Sequence, residues 1–132
     1  MSLSMHEISC YIDMQKQDNR QKKIMIIGVV KEIHHGERRV AMAPSVVKQC
    51  IKTGHSVLVE HGAGVIANFT DEQYKDSGAE ILKTAENVWE RAEVVLKIRP
   101  PEENLETGKH EADLLRKDSC LICMLSPGRN PG

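Results

Sequence analysis

Aromatic side chains, long apolar runs and an excess of positive charge are all missing from this sequence. One Trp, two Tyr and one Phe occur among 132 residues, so the core must consist of Ile, Val, Leu, Met and Ala, which suits a parallel sheet. The net charge of -1 gives no reason to expect nucleic-acid binding. No apolar run reaches membrane-spanning length, and the first residues, MSLSMHEISC, do not form a signal peptide. These absences predict a cytoplasmic protein, or a soluble part of something larger.

Cysteine is also scarce, and two of the four form a CxxC motif. The four are Cys10, Cys50, Cys120 and Cys123. A CxxC motif can indicate redox chemistry or zinc, but this one lies inside an apolar run that predicts a strand, and residues three apart on a strand point to opposite faces. A redox motif would begin a helix, and zinc would need a second pair of ligands. We therefore expect reduced core cysteines and no metal.

A single stretch, IMIIGVVKEIHHGERRVAMAP (residues 24–44), contains the main candidates for chemistry. The apolar run Ile24–Val30 predicts a buried strand, the residues after it are charged, and proline at the end suits the first turn of a helix. In open α/β domains a buried strand that leads to a charged loop at the carboxyl edge of the sheet commonly builds a site. Glu32, Arg38 and Arg39 are therefore the first candidate site residues.

Strand and helix patterns then alternate along the chain. Apolar runs predict further strands at 56–60, 79–82, 93–98 and 119–125, and helical patterns lie at 45–53, after Thr70 and at 85–92. This alternation predicts an α/β fold with a mostly parallel sheet flanked by helices, Rossmann-like or flavodoxin-like. Residues 1–22 are polar and without period, which predicts a disordered leader before a domain at 23–132. Because the sequence stops in turn residues directly after a strand, we expect the domain to be truncated at its C-terminus.

The segment Gly62–Ala67 follows a strand and matches the dinucleotide-binding glycine fingerprint, with Ala in place of the last Gly. In that fingerprint the glycine turn runs directly into a helix whose N-terminus holds the pyrophosphate. Here the next helix begins only at Thr70, where Gln73 completes a capping box. A tight structural turn is therefore the preferred interpretation, and cofactor binding is the alternative.

The cations of the sequence also allow two interpretations each. Arg38 and Arg39 could bind a carboxylate or phosphate through the guanidinium fork, or pair with Glu32 or Glu37. Lys97 lies inside a predicted strand, so it marks the strand's carboxyl end at a cleft or extends to the surface. The adjacent histidines at 34 and 35 have no third and fourth ligand in view, which favours loop histidines over a metal site.

Three motifs together resemble the N-terminal domain shared by alanine dehydrogenase and the α subunit of proton-translocating NAD(P) transhydrogenase. They are KEIHHGERRVAMAP, HSVLVEHGAGVIANFTDEQYKDSGAEI and AEVVLKIRPP, in that order and with matching spacing. The likeness is closer to transhydrogenase, because its α subunits have a similar charged insertion where this chain has residues 100–118. A weaker resemblance is to lysine-ketoglutarate reductase and saccharopine dehydrogenases.

The resemblance implies roles for particular residues. In alanine dehydrogenases an Arg and a Lys that fall here on Arg39 and Lys97 hold the substrate carboxylate. A catalytic His of that family falls on Ser126, which argues against an alanine dehydrogenase because nothing nearby replaces the acid/base. The resemblance thus implies cleft residues in this chain but no catalytic one.

The resemblance also implies what the whole protein does. In a transhydrogenase the whole enzyme, in which the α subunit is joined by membrane-embedded subunits and an NADP-binding domain, passes hydride from NADH to NADP+. This chain would form one wall of the NAD(H) cleft, on the cytoplasmic side or the matrix side of mitochondria, in a homodimeric parent. The Rossmann domain that makes most NAD(H) contacts is absent, so we expect this fragment to be inactive alone and to bind no cofactor. The alternatives are an amino-acid dehydrogenase of the alanine or saccharopine type and a non-enzymatic anion-binding domain that uses Arg38 and Arg39.

Overall fold

The computed structural model describes residues 24–123. The strands are β1 (Ile26–Val29), β2 (Ser56–Glu60), β3 (Glu80–Leu82), β4 (Val94–Lys97), β5 (Glu103–Asn104), β6 (Lys109–His110) and β7 (Cys120–Cys123). The α-helices are α1 (Pro44–Lys52), α2 (Asp71–Asp76) and α3 (Ala85–Arg91), with short 3-10 turns at Val65–Ala67 and Glu111–Leu114. The predicted leader at 1–22 and the candidate Ser126 lie outside the described residues.

Five strands form one parallel sheet in the order β3-β2-β1-β4-β7. The predicted parallel α/β fold is therefore confirmed. The chain proceeds outward from β1 through β2 to β3 and then returns to the other side of β1 to form β4. That return places a change of direction between the two central strands, β1 and β4, whose carboxyl ends lie side by side.

Helices cover both faces of the sheet because the central strands are apolar on both sides. One core cluster joins Val47 and Cys50 of α1 and Tyr74 of α2 to one sheet face, and the other joins Val88 and Trp89 of α3 to the opposite face. No helix of the described residues has the length and apolar composition that crossing a membrane requires.

The local signals for helix ends act as the sequence predicts. Pro44 occupies the first turn of α1, Thr70 and Gln73 form a complete capping box on α2, and Thr84 accepts a hydrogen bond from the Asn87 amide at the start of α3. Gly54 follows α1 with a φ of 96°, a conformation that glycine adopts without steric cost. These local interactions explain why helix starts were predictable.

The segment between β4 and β7 differs from its prediction. The helical turn predicted around residues 112–115 is present as the 3-10 turn at Glu111–Leu114, but the antiparallel hairpin β5–β6 before it was not predicted. Strands of two residues are too short to show an alternating pattern, so periodicity could not identify them.

The two CxxC cysteines lie on one edge strand, β7. Leu121 packs on one core cluster and Ile122 on the other, so strand alternation turns Cys120 and Cys123 to opposite faces as predicted. Both are half-buried rather than fully buried, because in the described chain β7 has a neighbour on one side only.

Candidate functional site

The carboxyl ends of β1 and β4 form the site at which the chain changes direction within the sheet. Ligands in open α/β sheets bind outside such a switch point. The loop after β1 contributes Glu32, Glu37 and Arg39, and the end of β4 contributes Lys97 and Arg99. The structure therefore brings three of the predicted site residues, Glu32, Arg39 and Lys97, to one edge of the sheet. Glu37 and Arg99, which were not predicted as site residues, lie beside them.

Glu32 joins the two strand ends. Its carboxylate accepts hydrogen bonds from Lys97 Nζ at 3.1 Å and from the backbone amides of Ile98 at 2.9 Å and Arg99 at 3.0 Å. The side chain is 2% exposed, and hydrogen bonds from a cation and two amides offset the cost of burying its charge. Glu32 is thus a structural link across the switch point.

Lys97 is fully buried between two carboxylates. Besides Glu32, its Nζ lies 3.3 Å from an oxygen of Glu111, and the side chain is 1% exposed. Glu111 belongs to the 3-10 turn after the hairpin, and its other oxygen accepts a hydrogen bond from the Glu102 amide at 3.0 Å. Of the two interpretations of Lys97, the strand-end position is correct, but internal partners enclose the cation.

Arg39 and Arg99 share a third buried carboxylate. Glu37, with a side chain that is 3% exposed, accepts from Arg39 Nε at 2.8 Å and Nη2 at 2.9 Å, and from Arg99 Nε at 2.8 Å. The hydrogen bond from Arg39 and the second one from Arg99 hold the pKa of the Glu37 carboxyl well below its usual range despite burial. Arg39 therefore pairs with Glu37, as one sequence interpretation had it, and Arg99 joins the pair.

A cleft of about 780 Å³ opens beside these buried pairs, between the loop after β1, the end of β2 and the hairpin. Its lining includes six glutamates, Glu32, Glu37, Glu60, Glu102, Glu103 and Glu106, and the two cations Lys31 and Arg38. Neither Arg39 nor Lys97 lines it. Glutamates of the hairpin and of β2 dominate the lining, so this cleft is acidic.

A hydrogen bond and an ion pair attach the hairpin to the rest of the domain. His34 in the loop after β1 pairs with Glu102, and Lys109 pairs with Glu86 of α3 at 3.1 Å. His35 is exposed. The described residues contain no group of His, Cys, Asp or Glu side chains that could hold a metal ion, and His34 shares a hydrogen bond with Glu102.

The glycine segment after β2 is a tight turn. Gly62 has a φ of 77°, its amide donates to Asp71 at 3.0 Å, and the 3-10 turn separates the glycines from α2. A β-carbon on Gly64 would lie 2.6 Å from the Tyr74 ring. The preferred interpretation as a structural turn agrees with this geometry, since Gly64 leaves room for a buried ring.

Two carboxylates near the site, Glu60 and Glu37, predict a pH dependence of stability. Burial raises the pKa of Glu60 above its ordinary 4.5, although the Lys31 amide donates to it. The folded state thus binds the proton of the Glu60 carboxyl more tightly than the unfolded state does. The contribution of protonated Glu60 to the free energy of unfolding is therefore complete below pH 4.5 and is lost as the pH rises through the pKa of the folded state. Glu37 acts oppositely, and its contribution is lost below pH 4.5.

We therefore expect Glu60→Gln to reduce the loss of unfolding free energy that accompanies a rise in pH from about 4.5 upward. Glutamine keeps an acceptor for the Lys31 amide but has no charge to desolvate. Chemical unfolding across this pH range measures the effect. The matched control is Glu103→Gln, an exposed carboxylate of the same cleft. If both variants follow the unmodified chain, Glu60 is not the source of the dependence.

Sequence reasoning missed Arg99 and Glu111. Arg99 could have been found, because it follows directly after a predicted strand end and a switch point gathers such residues. No sequence pattern indicated Glu111 as a site residue, because its position beside Lys97 depends on the hairpin that precedes it. Arg38 is exposed and lines the cleft, without a hydrogen-bond partner among residues 24–123.

The fold is an open parallel α/β domain, a class in which ligands commonly bind at the switch point, and comparison with known proteins identifies the family. The model of the family described as "Alanine dehydrogenase/PNT, N-terminal domain" matches residues 28–132. The chain belongs to this family.

Both activities in the family description occur among the relatives. The NAD(P) transhydrogenase subunit alpha of Cereibacter sphaeroides is 42% identical over 106 residues, which cover 80% of this chain and 19% of that protein. The alanine dehydrogenase of Methanococcus maripaludis is 39% identical over 107 residues, 81% of this chain and 27% of that protein. The chain thus spans about a fifth to a quarter of the length of these relatives, which are oxidoreductases by name.

The solved structures that the chain resembles include the same two kinds of protein. An L-alanine dehydrogenase superimposes with a TM-score of 0.63 at 39% identity, covering 75% of this chain and 26% of that one. A transhydrogenase from Sinorhizobium meliloti superimposes with a TM-score of 0.64 at 30% identity, covering 76% and 28%. Since identity and fold similarity are comparable for the two, the choice between them depends on the site.

Proposed function

We propose that this chain is the N-terminal domain of an NAD(P) transhydrogenase α subunit. It forms one wall of the NAD(H) cleft and is inactive without the remainder of the protein. The observation that carries the proposal is the enclosure of Lys97 by two carboxylates of its own chain.

An amino-acid dehydrogenase needs a cation that can receive the carboxylate of its substrate. By resemblance that cation would be Lys97, with Arg39 beside it. Here Lys97 is surrounded by Glu32 and Glu111, and Arg39 makes a bidentate pair with Glu37. A substrate carboxylate would have to displace a buried carboxylate from Lys97, which is costly in a site closed to water.

Hydride transfer between two dinucleotides makes no such demand, because neither NADH nor NADP+ presents a carboxylate that needs an anchor. The 3-10 turn that contributes Glu111 lies in the insertion by which the chain resembles transhydrogenase α subunits, and by the same resemblance Ser126 stands where alanine dehydrogenases have a catalytic His. In this proposal NAD(H) binds mainly to the part of the α subunit beyond this chain. The partners are that remainder, membrane-embedded subunits and an NADP-binding domain, in a homodimeric complex on the cytoplasmic or matrix side.

The experiment is an assay of the complete polypeptide that contains this chain, assembled with its partner subunits. We expect hydride transfer from NADH to an NADP+ analogue, and no oxidation of NADH with pyruvate and ammonium. The unmodified protein is the one to assay, because loss of Lys97 would leave Glu32 and Glu111 buried without a cation. Reductive amination of pyruvate would replace the proposal with an amino-acid dehydrogenase.

A further inference from the structure

The hairpin β5–β6 forms one wall of the acidic cleft, and the loop after β1 forms another. A hydrogen bond between His34 Nδ1, in that loop, and the carboxylate of Glu102, at the base of the hairpin, joins the two walls. The side chains are 37% and 35% exposed, so solvent reaches both groups. The contact is thus a bridge between two walls of the cleft that can exchange a proton with water.

Two further side-chain contacts hold the hairpin segment to the domain. Lys109 pairs with Glu86 of α3 at 3.1 Å, and Glu111, which follows the hairpin directly, pairs with Lys97 at 3.3 Å. Lysine and exposed glutamate side chains ordinarily keep their charges from about pH 6 to 8, whereas histidine changes its charge in this range. The bridge from His34 is therefore the contact of the hairpin with an element outside its own segment that we expect to respond to pH near neutrality.

The charges around His34 come from three elements that line the same cleft. The loop after β1 contributes Lys31, Glu32, His35, Glu37 and Arg38, the end of β2 contributes Glu60 and His61, and the hairpin segment contributes Glu102, Glu103 and Glu106. Glu32 and Glu37 already have buried cationic partners. Because the other carboxylates outnumber the two cations of the lining, a protonated His34 meets more negative than positive charge.

We propose that the hairpin is a strap that His34 holds across the cleft in a pH-dependent manner. When the imidazole is protonated, its contact with Glu102 is an ion pair with a charge-assisted hydrogen bond, and the hairpin stays against the loop. When the imidazole loses its proton, a weaker hydrogen bond remains and the hairpin detaches more often. The strap controls access to the cleft, and it does not depend on which activity of the family the parent protein has.

Two other groups of the hairpin segment respond to acid in the opposite direction. His110 Nδ1 accepts from the Ala112 amide at 3.1 Å and so caps the 3-10 turn, and a protonated ring could not accept there. Burial raises the pKa of Glu111, and its protonation weakens the pair with Lys97. The contribution of His34 is therefore measured as the difference between the unmodified chain and a variant that lacks this imidazole.

The test measures amide hydrogen exchange of the nitrogen-15-labelled chain by NMR from about pH 6 to 8, expressed as protection factors. The reporters are the amides of Gly108 and Glu111, which donate to the carbonyls of Asn104 and Glu102. A detached two-stranded hairpin is not stable in water, so these amides exchange on release. We expect His34→Gln, which keeps a donor but has no charge, to lower their protection about two- to fivefold at about pH 6, the size of an exposed ion pair, and less at about pH 8.

The matched control is His35→Gln, because His35 is exposed on the same loop and lines the same cleft but has no hydrogen-bond partner among residues 24–123. Glu102→Gln removes the other charge of the bridge, so it should act as His34→Gln does, and the double variant should lose no more than either one. Unchanged amide shifts in the parallel sheet confirm that each variant is folded. The proposal is wrong if His34→Gln leaves the protection unchanged, lowers it equally at both pH values, or acts no more strongly than His35→Gln.

Discussion

Lys97→Met should lower the free energy of unfolding by about 3–5 kcal/mol, the usual cost of removing one partner from a buried ion pair. Methionine fills a similar volume, so the loss is electrostatic. Without the ammonium group, Glu32 and Glu111 stay buried with side chains 2% and 5% exposed and no cation between them. Since small domains are stable by about 5–15 kcal/mol, this variant should be close to unfolding.

Chemical unfolding at two pH values separates this effect from lost packing. Burial raises the pKa of Glu111, and its protonation removes one uncompensated charge, so the destabilisation should shrink at low pH. Lys109→Met is the control, because Lys109 pairs with Glu86 on the surface, where both side chains are about half exposed, and such pairs contribute about 1 kcal/mol or less. Equal losses in the two variants would contradict a buried charge cluster at Lys97.

Gly64→Ala should lower the free energy of unfolding by about 1–3 kcal/mol, as overpacking of a well-packed core does. A β-carbon at this position would lie 2.6 Å from a ring carbon of Tyr74 and 2.9 Å from the β-carbon of Phe69. The Tyr74 ring cannot move aside easily, because it is fully buried and its hydroxyl donates to the Met42 carbonyl at 2.8 Å.

The same variant tests whether Gly62–Ala67 binds a cofactor. Calorimetric titration of this chain with NADH should show no micromolar binding before or after the substitution, since the glycines precede a 3-10 turn rather than a helix N-terminus. Val65→Ala is the control, because Val65 is 61% exposed and surface changes cost about 0.5 kcal/mol or less. Micromolar binding that Gly64→Ala abolishes would show that the segment is a nucleotide site after all.

Local features explain how much of the fold the sequence predicts. Apolar runs marked the strands of the parallel sheet, and Pro44, Thr70 and Thr84 marked the helix starts. Each of these signals lies within a short stretch of neighbouring residues, so it does not depend on tertiary contacts. The hairpin was missed because its strands have two residues each and depend on ion pairs with distant elements.

The sequence by itself determined the candidates Glu32, Arg39 and Lys97, because residues that follow parallel strands must lie at one edge of the sheet. Only the tertiary structure decided their partners. Lys97 and Glu32 are 65 positions apart in the sequence, and Arg99 and Glu37 are 62 apart. Pairing over such separations depends on strand order and register. The same three candidates could have formed an open anion site. Instead, the hairpin places Glu111 against Lys97, and Glu37 gathers two arginines, because burying each charge at this edge requires an opposite charge from a distant part of the chain.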